Sequence, residues 1–239
     1  MTFSTLPLAP LERALVASLQ RLEPNTREAV LAAAALCCQV LGNGDVCLVL
    51  ARWAGQRPWG EGYGLPALAD WRAQLAASKL VGAPGDFTPL ILDGECLYLA
   101  RYQAYEAQLA SQLLNRAADL PEVDETQLSD SLHRLFANNT QQPDWQRLAA
   151  AQAVRKRVAV ISGGPGTGKT TTVVRLLAAL LEQPGGERLA IGLAAPTGKA
   201  AARMAEAIRT AKASLPVSEA IKAALPEQAR TLHRLLGSR

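Results

Sequence analysis

The sequence predicts an α/β protein in two parts: a mostly helical N-terminal part with one hairpin, then a C-terminal part that begins a doubly wound parallel sheet. Three observations carry this. Residues 30–41 are an apolar run rich in Ala, Leu and Cys, as expected of a buried helix. Leu90–Leu92 and Cys96–Leu99 flank an Asp93-Gly94 pair, which is a hairpin signal. Arg157–Ser162 is a short β-branched run that leads at once into a glycine-rich turn and then a helical pattern, the order of a buried parallel strand and its crossover.

Along the N-terminal part, residues 11–21 and 26–41 read as helices, the second with capping-box spacing between Asn25 and Glu28. Gly42-Asn43-Gly44-Asp45 ends that helix. Residues 46–54 fit either a strand or a helix. Gly55–Pro66 reads as loop, 67–77 as helix and Val81–Gly85 as loop. The hairpin follows, then a helix over 101–118. The acidic stretch Leu120–Asp130 reads as linker, Ser131–Asn138 as a short helix, and the polar run Asn138–Pro143 as a boundary. The expected domains are therefore 1–110 and 144–239, joined by a helical linker over 111–143.

Composition limits the function classes. Hydrophobic residues make up 49% of the 239 and charged residues 19%, enough apolar material for a core. No stretch has the ~20 apolar residues of a membrane span, and the N-terminus lacks the basic start of a signal peptide. A cytoplasmic protein with no membrane partner is expected. Cys37, Cys38, Cys47 and Cys96 form no C-x-x-C pair and only two His are present, so buried thiols are expected in place of a zinc site or a disulfide framework. The net charge of +4 hides an asymmetry. Residues 1–144 hold 10 basic and 16 acidic residues, a net of −6, whereas 145–239 hold 15 and 5, a net of +10. The basic half suits an anionic partner, although basic residues also solvate helix faces.

The glycine-rich turn is the strongest motif. Gly163-Gly164-Pro165-Gly166-Thr167-Gly168-Lys169-Thr170 satisfies G-x-x-x-x-G-K-[ST], with Thr171 opening the following helical run. Glycines let successive backbone N–H groups turn toward phosphate oxygens, and the following helix N-terminus adds partial positive charge. Lys169 is placed to reach the β/γ-phosphates and the Thr170 hydroxyl to ligate Mg²⁺. A nucleoside triphosphate site is expected here, and the loop alone does not choose between ATP and GTP.

Three further segments narrow the class. Gln146, in Pro143-Asp144-Trp145-Gln146-Arg147, offers a donor and an acceptor suited to an adenine edge. The apolar run Leu189–Ala195 reads as a strand leading into Pro196-Thr197-Gly198-Lys199-Ala200-Ala201, a strand-to-helix turn suited to one nucleic-acid phosphate or simply to a turn. Thr231-Leu232-His233-Arg234-Leu235-Leu236-Gly237 reads by itself as a short basic helix.

Taken together, GGPGTGKTTT, APTGKAA and TLHRLLG resemble the superfamily 1 DNA helicases of the RecD type. Leu97–Tyr102, Tyr105-Glu106 and the Trp145-Gln146-Arg147 approach extend the resemblance to the RecD subunits of bacterial exodeoxyribonuclease V. It covers essentially the whole chain as the N-terminal portion of such a subunit. The resemblance implies an incomplete RecA-like motor domain behind an accessory domain that docks on RecC. It implies ATP and Mg as cofactors, 5′–3′ movement on single-stranded DNA, and work at double-strand DNA ends with RecB and RecC. Lys169 and Thr170 would be catalytic, Gln146 would contact adenine, and Thr197, Lys199, Thr231, His233 and Arg234 would lie on or near the DNA path. No apolar strand ending in Asp-Glu occurs by Arg239, so a front part of a motor is expected. Two alternatives stay open: a non-catalytic assembly module for a RecC-like partner, or an unrelated P-loop ATPase, against which TLHRLLG argues.

Overall fold

The computed structural model describes residues 6–60, 62–137 and 143–237. The chain divides into two units, Met1–Gln112 and Leu113–Arg239. Of the polar boundary run, 138–142 lies outside the described residues.

In the first unit, α1 (Pro10–Leu22) starts with a proline whose missing N–H costs the helix nothing there, and the Ala9 N–H donates to the Glu12 carboxylate at 2.9 Å. The reciprocal cap expected at Asn25 does not form. Helix α2 (Glu28–Gly42) is capped at Arg27 without a side-chain bond. It is held by burial instead: Val30 through Cys37 are 0–2% exposed, which makes α2 the central helix of this unit. Residues 46–54, which fit two readings, contain both: β1 (Leu48–Val49) runs directly into α3 (Leu50–Trp53). Helix α4 (Leu68–Ala76) inserts Trp71, whose indole N–H donates to the Ala29 carbonyl at 3.0 Å.

The hairpin forms as expected from β3 (Leu90–Asp93) and β4 (Cys96–Leu99). Val81–Gly85, expected as loop, begins with a strand, β2 (Val81–Gly82), paired parallel with β3. Two residues are too few for a period, so the pattern could not reveal it. The sheet order is β1-β4-β3-β2. Cys37 lies against it, its thiol directed at the Leu97 carbonyl, and burial pushes that thiol up to about 12. All four cysteines are free.

Helix α5 (Ala100–Ala118) crosses from the first unit into the second. The stretch expected as linker carries the start of α6 (Glu125–Leu135), with the Asp124 side chain accepting from the Gln127 N–H at 2.9 Å. Leu128, Leu132 and Leu135 of α6 join one core with Ala150 and Val154 of α7 (Trp145–Val154) and Val174, Ala178 and Ala179 of α8 (Lys169–Leu181). Those acidic residues are thus a cap and the solvated face of a packed helix, which is why the stretch looked like a linker. Glu182 ties α8 to α6: it accepts from the buried Ser131 hydroxyl at 2.6 Å and takes both oxygens to Arg134 at 2.7 and 2.8 Å.

The parallel pair in this unit is β5 (Leu193–Ala195) with β6 (Ala229–Thr231), connected through α9 (Gly198–Ala213) and α10 (Glu219–Ala224). Only the end of the expected strand 189–195 enters the ladder. The expected strand over 157–162 does not form. A ladder needs a neighbour, β5 pairs with β6, and among the described residues no strand pairs with Val158–Ser162. Val160 is accordingly 89% exposed. Helix α11 (Leu232–Leu235) follows β6 directly. Among the described residues no helix is long and apolar enough to cross a membrane.

Candidate functional site

The glycine loop lies between the N-terminal ends of α7 and α8 and lines a cleft of about 550 Å³. Its path is set by two left-handed residues, Gly166 at φ +75° and Gly168 at φ +76°, a conformation that costs other L-residues roughly 1–2 kcal/mol. Gly168 also lacks room: a Cβ there would sit 2.6 Å from the Gln146 amide nitrogen. At Gly163 a Cβ would sit 2.8 Å from the Thr167 hydroxyl. A side chain at either end of the cradle would displace Gln146 or Thr167, and at Gly168 it would also meet the left-handed backbone.

Side chains then fix the loop. The Gln146 amide donates to the Thr167 carbonyl at 3.0 Å. The Thr167 hydroxyl donates to the Gly164 carbonyl at 2.9 Å. The Lys169 ammonium donates to the carbonyls of Gly163 and Gly164, both at 2.5 Å. Among the described residues Lys169 forms no ion pair with a carboxylate, and its ammonium is held by these loop carbonyls. Asp144 holds the start of α7 by accepting from the Arg147 N–H at 3.0 Å.

Of the residues expected to bind nucleotide, Gln146, Gly163, Gly166, Thr167, Gly168 and Lys169 line this cleft. Gly164, whose carbonyl accepts from Thr167 and Lys169, and the exposed Pro165 are off the lining. Thr170 and Thr171 stand in the first turn of α8, half-buried and off the lining. Five residues outside the expected set complete the walls: Trp145, Ala149, Ile161, Ser162 and Thr172. Thr172 is buried, and its hydroxyl donates to the Gly168 carbonyl at 3.0 Å. The repeated threonines after Lys169 were its only signal.

A second groove, about 440 Å³, joins the start of α9 to β6 and α11. It brings together Thr231 and Arg234 of the expected DNA-contacting set, and adds Arg230, an exposed residue of β6 that sequence reading passed over. Thr197, Lys199 and His233 are exposed outside its lining. The two threonines already have local work: Thr197 Oγ1 accepts from the Ala200 N–H at 3.2 Å and Thr231 Oγ1 from the Arg234 N–H at 3.3 Å. A hydroxyl that accepts still has a proton to donate, so capping and ligand contact are compatible.

Two family models match separate stretches of the chain. The family described as RecBCD enzyme subunit RecD, N-terminal domain, matches residues 6–98, and a family described as AAA domain matches residues 146–239. The RecBCD enzyme subunit RecD of Mycobacterium tuberculosis is 42% identical over 228 residues, covering 89% of this chain and 36% of that protein. The chain is related to the N-terminal part of RecD subunits. The subunit RecD of Haemophilus influenzae is 31% identical over 238 residues, 90% of this chain and 37% of that protein. The ATP-dependent RecD2 DNA helicase of Deinococcus radiodurans is 42% identical over 87 residues, 36% of this chain and 9% of that protein. The chain thus spans about a third of the length of the RecD relatives.

The loop geometry predicts a contrast between two glycines. Gly168→Ala meets both a left-handed backbone and the Gln146 amide, and should destabilise the second unit by about 1–3 kcal/mol in urea unfolding. Gly198→Ala, at the open start of α9 where a Cβ meets nothing within 4 Å, should change stability by less than about 0.5 kcal/mol or raise it. Equal effects would contradict this picture of the loop.

Proposed function

We propose that the chain is the nucleotide-binding N-terminal part of a RecD-type DNA helicase subunit, cytoplasmic, acting with RecB- and RecC-type partners on DNA ends. One observation carries the reading: the loop from Gly163 to Lys169 opens α8 and shares its cleft with Gln146. The relatives' names supply the class of machine. A RecA-like motor fold for 144–239 and an accessory, RecC-docking role for 1–110 are part of the same proposal. The acidic balance of the first half and the basic balance of the second suit it.

The residues fit an oligophosphate with its cation. The glycine-rich backbone leaves the loop open to an oligophosphate, and the helix N-terminus behind it favours negative charge. Lys169 would exchange two neutral carbonyls for phosphate oxygens, a stronger, charge-assisted pairing. Mg²⁺, when bound, would offset phosphate charge, with the Thr170 hydroxyl as its protein ligand. Gln146 holds the loop with one N–H. Its second N–H and its carbonyl oxygen have the donor–acceptor pattern of an adenine edge, which favours ATP.

Arg230 and Arg234, with Lys199 in the first turn of α9, make the second groove the proposed contact for a DNA backbone phosphate. Thr231 lines the same groove, and Thr197 and His233 flank it in sequence.

In the protein that carries this chain, Lys169→Gln should fold normally yet lose at least about 100-fold in DNA-stimulated ATP hydrolysis, since it removes a charge that stabilises the transferring phosphoryl group. Normal turnover would remove the loop from the active site. Lys199→Glu or Arg230→Glu should weaken single-strand binding and lower the slope of log K against log[salt] by about 1 for each phosphate that is no longer neutralised. An unchanged slope, measured by fluorescence anisotropy, would take that residue off the DNA path.

A further inference from the structure

The four cysteines all belong to the first unit and line neither groove. Two of them meet at the sheet. Strands β1 and β4 run antiparallel, with Leu48 opposite Leu97 and Val49 opposite Cys96. Side chains alternate between the two faces of a sheet. Leu48 and Leu97 are fully buried and take the inner face, so Val49 and Cys96 take the outer one. Cys47 stands one residue before β1, which puts it diagonal to Cys96, and both residues are half-buried. The Cys47 thiol lies within hydrogen-bonding reach of the Cys96 thiol and of the Tyr98 phenol.

The other two thiols are engaged elsewhere. Cys37 is fully buried and directed at the Leu97 carbonyl. Cys38 feels the Glu12 carboxylate of α1. Diagonal neighbours on paired strands lie roughly 7–8 Å apart between Cα atoms, slightly more than a disulfide spans. Cys47 precedes the ladder, so no ladder hydrogen bond has to break for its backbone to close that difference.

We propose that Cys47 and Cys96 are a redox-sensitive pair that closes to a disulfide between the start of β1 and β4, with a small disulfide such as oxidised glutathione as the oxidant. The Cys96 thiolate attacks one sulfur of the oxidant, forming a mixed disulfide and releasing one small thiolate. Cys47 then loses its proton and attacks the Cys96 sulfur, expelling the second small thiolate. Two protein thiols are oxidised, and one small disulfide is reduced to two thiols. Burial, and then the neighbouring Cys96, holds the Cys47 thiol above its ordinary value, which leaves the first attack to Cys96. In a reducing compartment the pair is open, and it closes as the ratio of oxidised to reduced small thiols rises. The closed loop contains α3, α4, β2 and β3, so the bond restricts the unfolded chain across the sheet's connections.

The test treats the folded 239-residue chain with oxidised glutathione and reads the product by mass spectrometry and non-reducing peptide mapping. The wild-type chain should lose two hydrogens, yield a peptide pair linked through Cys47 and Cys96, and return to its starting mass with dithiothreitol. Cys37 and Cys38 should stay free. Cys47→Ser should stop at the mixed disulfide and keep glutathione on Cys96. In urea unfolding, the oxidised wild type should have a higher midpoint than the reduced one. No loss of two hydrogens in the wild type, or a bridge between any other pair, would overturn the proposal from the wild-type chain alone. The same internal bridge mass in Cys47→Ser would overturn it too, and a lower midpoint on oxidation would show a bond that strains the sheet and contradict its closure there.

Discussion

The second unit is organised around one constraint: a backbone loop whose carbonyls must be held without a β-carbon in the way. Gly166 and Gly168 take the left-handed turns, and the carbonyls of Gly163, Gly164 and Thr167 then accept from Lys169 and Gln146. Both donors come from helix starts, so the loop is only as well placed as α7 and α8. Helix α8 is fixed by burying Val174, Ala178 and Ala179, and by Glu182 at its far end, gripped by Ser131 and Arg134 of α6. A Glu125–Arg155 pair ties α6 to the end of α7 and holds the Glu125 carboxyl below its ordinary range. The acidic segment before α7 therefore helps position the loop.

Two grooves follow from the same helical framework. The first is closed by the loop and the start of α7. The second lies where α9 begins, beside a short parallel pair whose second strand carries Arg230 and runs directly into α11. Oriented backbone N–H groups and basic side chains thus meet at two places in a unit whose sequence carries most of the chain's positive charge. Part of that charge is neutralised within the unit, at Arg134, Arg155, Arg157 and Lys212, each paired with a carboxylate.

Much of this was legible in the sequence, for identifiable reasons. Long apolar runs gave α2 and α8, Asp-Gly gave the hairpin, and the G-x-x-x-x-G-K-[ST] spacing located the loop because only backbone geometry satisfies it. What failed depended on partners far away in the chain. Arg157–Ser162 has strand composition but no strand beside it among the described residues, while β2 and β6 are too short to show alternation and exist through their neighbours β3 and β5. Asn25 had cap spacing, yet the burial of Val30–Cys37 set where α2 begins. Trp145 stood in the sequence only as part of the approach to the loop and Arg230 stood in no motif; the structure adds that they line the cleft and the groove.

In the proposed nucleotide complex, phosphate oxygens replace the carbonyls of Gly163 and Gly164 as the partners of Lys169. Amide hydrogen exchange of the chain, with and without saturating MgATP, tests it most directly. Slower exchange is expected, confined to peptides covering residues 163–172 and the start of α7, with residues 198–213 unchanged. Exchange at 163–172 that is the same with and without nucleotide would contradict it.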